Sequence, residues 1–228
     1  MIAGSRTVGV VTIDDRTTAD GYAEITDVAT LTELLGEPIA RVWTKERQAL
    51  DAIDRDWLAA SPFCFMATAD ADGRCDASPK GDPAGQLVHV VDDRTIAIAE
   101  RPGNRRADGY RNIIANPHVG LNFLIPGRGD TLRINGRARL LRDAPFFDEM
   151  IVKGHRPILV VLVEIDQIFF HCSKAFLRSE LWEPETWNPE SRVARRAVIA
   201  DRLEGTGMSL DELDTYYGEA YRKKLYGG

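Results

Sequence analysis

Arg101-Pro-Gly-Asn-Arg-Arg-Ala-Asp-Gly-Tyr-Arg-Asn-Ile-Ile-Ala-Asn-Pro117 reads as a strand end, a turn, a short helix and a stop. Asn104 is a good N-cap, and Pro117 bars continuation. Ala107, Tyr110, Ile113 and Ile114 share one helical face. On this reading Arg105 and Arg106 occupy the first helical turn. A helix N-terminus already carries partial positive charge, so each cation there costs a few tenths to about 1 kcal/mol. A bound anion reverses the sign, because exposed amides, the helix dipole and two guanidiniums converge on it. A phosphate is the expected occupant.

Outward from this stretch the sequence is rich in strands. Phe63–Ala69 is β-like and runs into the turn Asp70-Ala-Asp-Gly73, with a second strand over residues 74–79. Residues 86–91 and 94–100 form a hairpin around Asp92-Asp93. Beyond Pro117, residues 119–125 alternate, with Val119, Leu121, Phe123 and Ile125 on one face. Pro126-Gly-Arg-Gly129 is a turn. In Thr131–Leu141, Leu132, Ile134, Ala138 and Leu140 face one side, and Thr131, Arg133, Asn135, Arg137 and Arg139 the other. Residues 158–170 form a long, nearly continuous apolar strand, as a central strand should. Six or more consecutive strands with short turns predict an antiparallel barrel.

Helices are expected on both flanks. Residues 27–35 read as a short helix ended by Gly36. Residues 44–60 read as a second, burying Ala49, Leu50, Ile53, Trp57 and Leu58 and closed by Pro62. Residues 143–153 read as a helix inserted before the last long strand. Asn188-Pro189 is an N-cap with proline at the first helical position, and Ser209-Leu-Asp-Glu212 is a capping box. The expected organisation is a helical extension over residues 1–60, a barrel over 61–185 and a helical segment over 186–228. Residues 1–25 are expected to be peripheral.

Composition narrows the function. Hydrophobic residues make up 44% of 228 and charged residues 28%, which suits a globular protein with a real core. A formal net charge of −6 argues against general nucleic-acid binding. The three cysteines, Cys64, Cys75 and Cys172, are widely spaced without a CxxC pair, so neither a disulfide framework nor a structural zinc site is expected. His89, His118, His155 and His171 are scattered, and His171-Cys172 has no evident activating base, so no metal site or cysteine nucleophile is expected. No signal peptide is evident, and the longest apolar run, residues 158–163, is too short to span a bilayer. A cytoplasmic protein without a membrane partner is the expectation. No Gly-x-Gly-x-x-Gly follows a strand, so any nicotinamide binds without that fingerprint.

The order of these pieces resembles the pyridoxamine 5′-phosphate oxidase-like superfamily, the FMN-binding split barrels. The matching motifs are Ser78-Pro-Lys-Gly81, Arg101-Pro-Gly-Asn-Arg-Arg106, Asn116-Pro117 and Leu132-Arg-Ile-Asn-Gly136, across roughly residues 60–185. The resemblance implies a mainly β (α+β) fold, an antiparallel split β-barrel with flanking helices. It implies an FMN-dependent oxidoreductase acting on a small molecule, and a homodimer with the cofactor at its interface. By position, Arg105 and Arg106, opened by Asn104, match the pair that grips the FMN phosphate. Ala99 and Glu100 match the strand end beside it, through backbone groups. Asp76, Ala77 and Ser78 match the strand edge along the flavin ring, and Lys80 the lysine near the flavin and substrate. Thr131 and Arg133 match polar positions beside the ring. Lys174 and Arg178, four apart, belong to a stretch expected to fold over the cofactor. The Arg-x-His-x-Arg motif of vitamin B6 oxidases is missing, so the substrate is not read from this resemblance. A deazaflavin-dependent reductase, or another flavin-like or tetrapyrrole cofactor in the same barrel, is the alternative enzyme. A flavin-binding protein without turnover is the alternative outside catalysis. No catalytic acid or base is evident.

Overall fold

The computed structural model describes residues 21–189, 193–219, 221, 225 and 226. The chain divides into two units, one ending at Thr44 and one beginning at Lys45. In the first, α1 (Val28–Leu35) starts where Asp27 accepts from the Thr30 N–H at 2.9 Å. It stops at Gly36, whose φ of 80° suits glycine. A single turn, α2 (Arg41–Thr44), follows.

The second unit is built on one antiparallel sheet. Its strands are β1 (Phe63–Ala69), β2 (Cys75–Gly81), β3 (Val88–Asp92), β4 (Thr95–Ala99), β5 (His118–Leu124), β6 (Thr131–Leu141) and β7 (Val160–His171). Their order is β2-β1-β5-β6-β7-β4-β3, and the sheet forms the split β-barrel of a mainly β, α+β fold. Alternation decides which faces are buried. Met66 of β1, Leu121 and Phe123 of β5, Leu132 and Ile134 of β6, and Val161, Val163 and Ile168 of β7 meet in one core. At 20–33 cal/mol per Å² of apolar area, each such side chain contributes about 1.5–3 kcal/mol. A bulge interrupts the β6–β7 register between Asn135 and Gly136. A Cβ on Gly136 would lie 2.1 Å from the Glu164 carbonyl oxygen, so no other residue fits there without moving the backbone.

Two strands lie at the margins of the sheet, β2 and β3. The outer side of β2 therefore carries backbone groups that no strand pairs. Pro79 sits within it, opposite Phe65 of β1. Proline is tolerated in such a strand because its missing N–H falls on the unpaired side.

Three expected helices are corrected. The helix predicted over 44–60 is α3 (Ala52–Ala60) alone. Arg47 instead bridges to Ile168 of β7, and its guanidinium binds the fully buried Asp54. Asp51 caps α3 in a capping box with Asp54, which fixes the start at residue 52. Ile53, expected on the buried side, is 67% exposed. The helix predicted over 143–153 is only a 3-10 turn, Phe147–Met150. There Arg156 clamps Asp143 and Asp148, both at 2.7 Å, while Phe147 is buried beneath β4 and β7 residues. The central helix, α4, spans Asp108–Ala115 and is preceded by Ala107 at φ 54°. Asn104 is not its N-cap: its side-chain oxygen accepts from the Arg106 N–H at 3.0 Å, a local turn that competes with helix. Arg105 and Arg106 thus precede the helix, and Asp108 holds the first turn.

Beyond the barrel lie α5 (Lys174–Ser179), a 3-10 turn Pro184–Thr186, α6 (Arg196–Leu203) and α7 (Leu210–Tyr216). The capping box of Ser209 and Glu212 opens α7, and Ala197, Ala200 and Leu213 form its small core with α6. The helix expected after Asn188-Pro189 falls on residues 190–192, and residues 1–20 of the segment expected to be peripheral, 1–25, also lie outside the described residues. Among the described residues no helix is long and apolar enough to cross a membrane.

Candidate functional site

A cleft of about 480 Å³, within the usual range of small-molecule sites, opens beside β2. Residues 76–81 of β2 form one wall, and residues 99–110 form the other. The fold places them together because β2 is a margin and the chain leaves β4 to run past it into α4. Of the residues expected in a site, Asp76, Ala77, Ser78, Lys80, Ala99, Glu100, Asn104, Arg105 and Arg106 all line this cleft.

The loop before α4 is strained. Arg105 has φ 62° and Ala107 φ 54°, two residues other than glycine in the left-handed region within three positions. Such conformations cost of order 1–3 kcal/mol each and cluster at ligand clamps. Arg106 is 79% exposed and paired with Asp108, which Arg111 also reaches at 3.3 Å. The Asp108 side chain, by that hydrogen bond, raises the Arg106 pKa, and Arg106 lowers that of Asp108. Among the described residues no carboxylate pairs with Arg105. Gly109 packs closely in the first turn of α4: a Cβ there would lie 2.9 Å from Asp76 Oδ2, and that carboxylate would have to swing aside.

Deeper in the cleft three side chains form a hydrogen-bonded unit. Lys80 Nζ donates to Tyr110 Oη at 2.8 Å and lies 3.4 Å from Glu100 Oε2. The Tyr110 hydroxyl donates to that same Glu100 oxygen. Burial, and then the bonded and charged Glu100, push the Tyr110 phenol well above its ordinary range, so it stays protonated. The Glu100 N–H is spent on the Leu159 carbonyl at 2.9 Å, which leaves its side chain and carbonyl for the cleft. Ser78 Oγ is buried, with no hydrogen-bond partner among the described residues.

Sequence reasoning missed two features of this wall. Tyr110 reads as one member of an apolar helical face, and only the tertiary fold brings Lys80 of β2 and Glu100, just past β4, to it. Arg101 lines the cleft, yet its guanidinium is tied to Asp82 at 2.8 Å and to the Met150 carbonyl at 3.0 Å. Asp82, with its side chain only 2% exposed, also accepts from Tyr226 at 2.9 Å.

The remaining expected residues lie elsewhere. Thr131 is buried at the start of β6, paired with His171. Arg133 stands over the Phe169 ring at 5.4 Å and donates to Asn135 at 3.2 Å. Burial, and then Arg133 and Lys45, hold the His171 pKa below its ordinary value. Lys174 and Arg178 share α5 and are exposed. None of the four borders the cleft of the same chain. Among the described residues no group of three or more His, Cys, Asp or Glu side chains is placed to hold a metal.

Comparison with known proteins adds three findings. Residues 50–172 match the family model described as pyridoxamine 5′-phosphate oxidase. No curated protein matches the chain. Among solved structures, HupZ of Group A Streptococcus is 19% identical over 53% of this chain and 93% of its own, with a TM-score of 0.43. General stress protein 26 of Bacillus anthracis is 14% identical over 51% and 88%, with a TM-score of 0.40. An F420 reductase is 17% identical over 50% and 93%, with a TM-score of 0.36.

Proposed function

Since the chain belongs to the pyridoxamine 5′-phosphate oxidase family, we propose that it is an FMN-dependent oxidoreductase whose cofactor lies in the cleft between β2 and the loop before α4. The observation that carries this reading is the donor set of one wall. Arg105 stands without a carboxylate partner at the mouth, in a loop strained on both sides of Arg106. The outer edge of β2 offers unpaired backbone groups beside Ser78 Oγ, itself buried without a partner. A flavin mononucleotide presents the complement: a dianionic phosphate at one end and a planar ring edged with N–H and C=O groups at the other.

In this reading FMN supplies hydride or electron transfer at its ring when bound. The protein's residues do the rest. Arg105 and Arg106 hold the phosphate by charge-assisted bonds, Arg106 exchanging Asp108 for it. The β2 edge and Ser78 orient the ring. Lys80 places a cation at the cleft floor, where donors aimed at developing negative charge are worth most.

A homodimer is part of the proposal. A neighbouring copy brings Arg133, Lys174 and Arg178 to the open side of the cleft, while Thr131, buried at the start of β6, stays within its own chain. The substrate is a small molecule reaching the ring from that side, in the cytoplasm. The test is direct: the purified protein takes up FMN in a one-to-one titration, and its visible spectrum and the mass of any copurifying molecule are those of FMN. Uptake of a deazaflavin in its place, or of neither, overturns the assignment.

A further inference from the structure

We propose that Tyr110 is a positioning residue, and Glu100 its counter-charge, which together hold the Lys80 ammonium so that one N–H faces the electron-rich edge of a reduced flavin in the cleft. The inference rests on the FMN reading above and goes beyond it by naming what tunes the bound ring.

An ammonium carries three N–H donors. Two of those of Lys80 are occupied, by Tyr110 and Glu100, and among the described residues no third acceptor is within hydrogen-bond reach. Two fixed bonds determine the direction of the third N–H, and Lys80 lines the cleft. The side chains are 13% and 25% exposed at Lys80 and Glu100, too sheltered for solvent to dominate the geometry. The Tyr110 ring also lies 4.8 Å from Lys80 Nζ, so the aromatic face supports the same position. A lysine on its flexible stem is normally a mobile point charge. Here the ammonium is anchored by Tyr110 of α4 and Glu100 just past β4, both of which line the cleft. Reduction adds negative charge to a flavin ring, and a cation fixed beforehand stabilises it without reorganising. Glu100 tempers the effect, because its carboxylate opposes the ammonium at the same spot.

The two residues thus have opposite signs, which a purely structural role does not produce. In Tyr110→Phe the ring volume stays and the oxygen that anchors Lys80 goes. The preference of the site for reduced over oxidised FMN then falls about tenfold, a drop of roughly 30 mV for a two-electron couple. Lys80→Met gives a drop at least as large, and Lys80→Arg restores most of it. In Glu100→Gln the amide oxygen still accepts from both partners while the charge is removed, so the midpoint potential rises. The measurement is the midpoint potential of protein-bound FMN by equilibration with a reference dye, alongside the Kd of oxidised FMN, which stays within about threefold in Tyr110→Phe. An unchanged potential in Lys80→Met, or equal potentials in Tyr110→Phe and wild type, overturns this inference alone. So does a fall in Glu100→Gln. If wild type takes up no FMN, the flavin reading fails first and this inference with it. If Tyr110→Phe does not fold, the opposed shifts of Lys80→Met and Glu100→Gln decide the matter.

Discussion

Replacing Arg105 and Arg106 one at a time separates two kinds of phosphate contact. Arg105 lines the cleft and pairs with no carboxylate among the described residues, so an anion costs it no existing ion pair. A charge-assisted bond contributes about 1.5–3 kcal/mol. Arg105→Ala should therefore weaken FMN binding by roughly tenfold to 150-fold, at 1.4 kcal/mol per factor of ten. Arg106 starts from a bond to Asp108 and must give it up. Its exchange of one anion for another yields less, and Arg106→Ala should weaken binding only several-fold. Asp108→Asn removes the competitor and a like charge near the phosphate, so it should tighten binding several-fold, through a freed Arg106 and Arg111. Quenching of FMN fluorescence on titration with protein, at low and at physiological salt, reads all three. The losses should shrink as salt screens these exposed charges. An Arg105→Ala variant within twofold of wild type, or an Asp108→Asn variant that binds more weakly while its melting temperature is unchanged, refutes the phosphate grip.

Three further outcomes follow from the geometry. Gly136→Ala places a Cβ 2.1 Å from the Glu164 carbonyl oxygen, so the β6–β7 bulge must shift. Overpacking of this kind costs about 1–3 kcal/mol, and thermal unfolding should drop by several degrees, about 2–4 °C for each kcal/mol in a chain of this size. Burial pushes the Cys64 thiol up to about 12, despite the opposing charge of Lys80, whereas a backbone hydrogen bond from Lys174 lowers that of the exposed Cys172. Because the thiolate is the reactive form, iodoacetamide at pH 8 should modify Cys172 in the folded protein and spare Cys64 until the chain is unfolded, as mass spectrometry will show. His171 is held below its ordinary pKa by burial, Arg133 and Lys45, so the unfolded chain binds its proton more readily. Stability should fall as pH drops below about 6.5, and His171→Gln should flatten that part of a melting-temperature profile. A profile unchanged by the substitution counts against the cause named.

Much of the barrel was legible before any coordinates. Alternation in Thr131–Leu141 and the apolar run into β7 fixed strand type and buried face, because the side-chain period of a strand is written directly in sequence. A cap was legible where the capping side chain has no rival, as at Ser209. The reading failed where it does: Asn104 closes its own turn on Arg106 before a helix can use it. The helix over 44–60 was misread because Leu50 and Ala49 keep helical spacing while Arg47 is drawn to Ile168 and Asp54, partners remote in sequence or buried. The site divides in the same way. Asn104 to Arg106 stood out by local pattern, Asp76, Ala77, Ser78 and Lys80 only through the family resemblance, and the structure sets both groups on one cleft. Tyr110 was invisible as a polar residue, since its partners are 10 and 30 positions away. Arg101, at the strand end before Asn104 to Arg106, is claimed by the buried Asp82, a partner that the local sequence does not announce.

The margin strand β2 also bears on how this protein survives at high concentration. An open strand border is an invitation for a second molecule to stitch on and seed fibrils, and this one is broken by Pro79, which supplies no hydrogen. The gap spoils the regular spacing another peptide backbone requires, yet a compact aromatic ring needs only two or three well-spaced contacts. The border thus turns away its own kind while leaving room for the small planar guest proposed above.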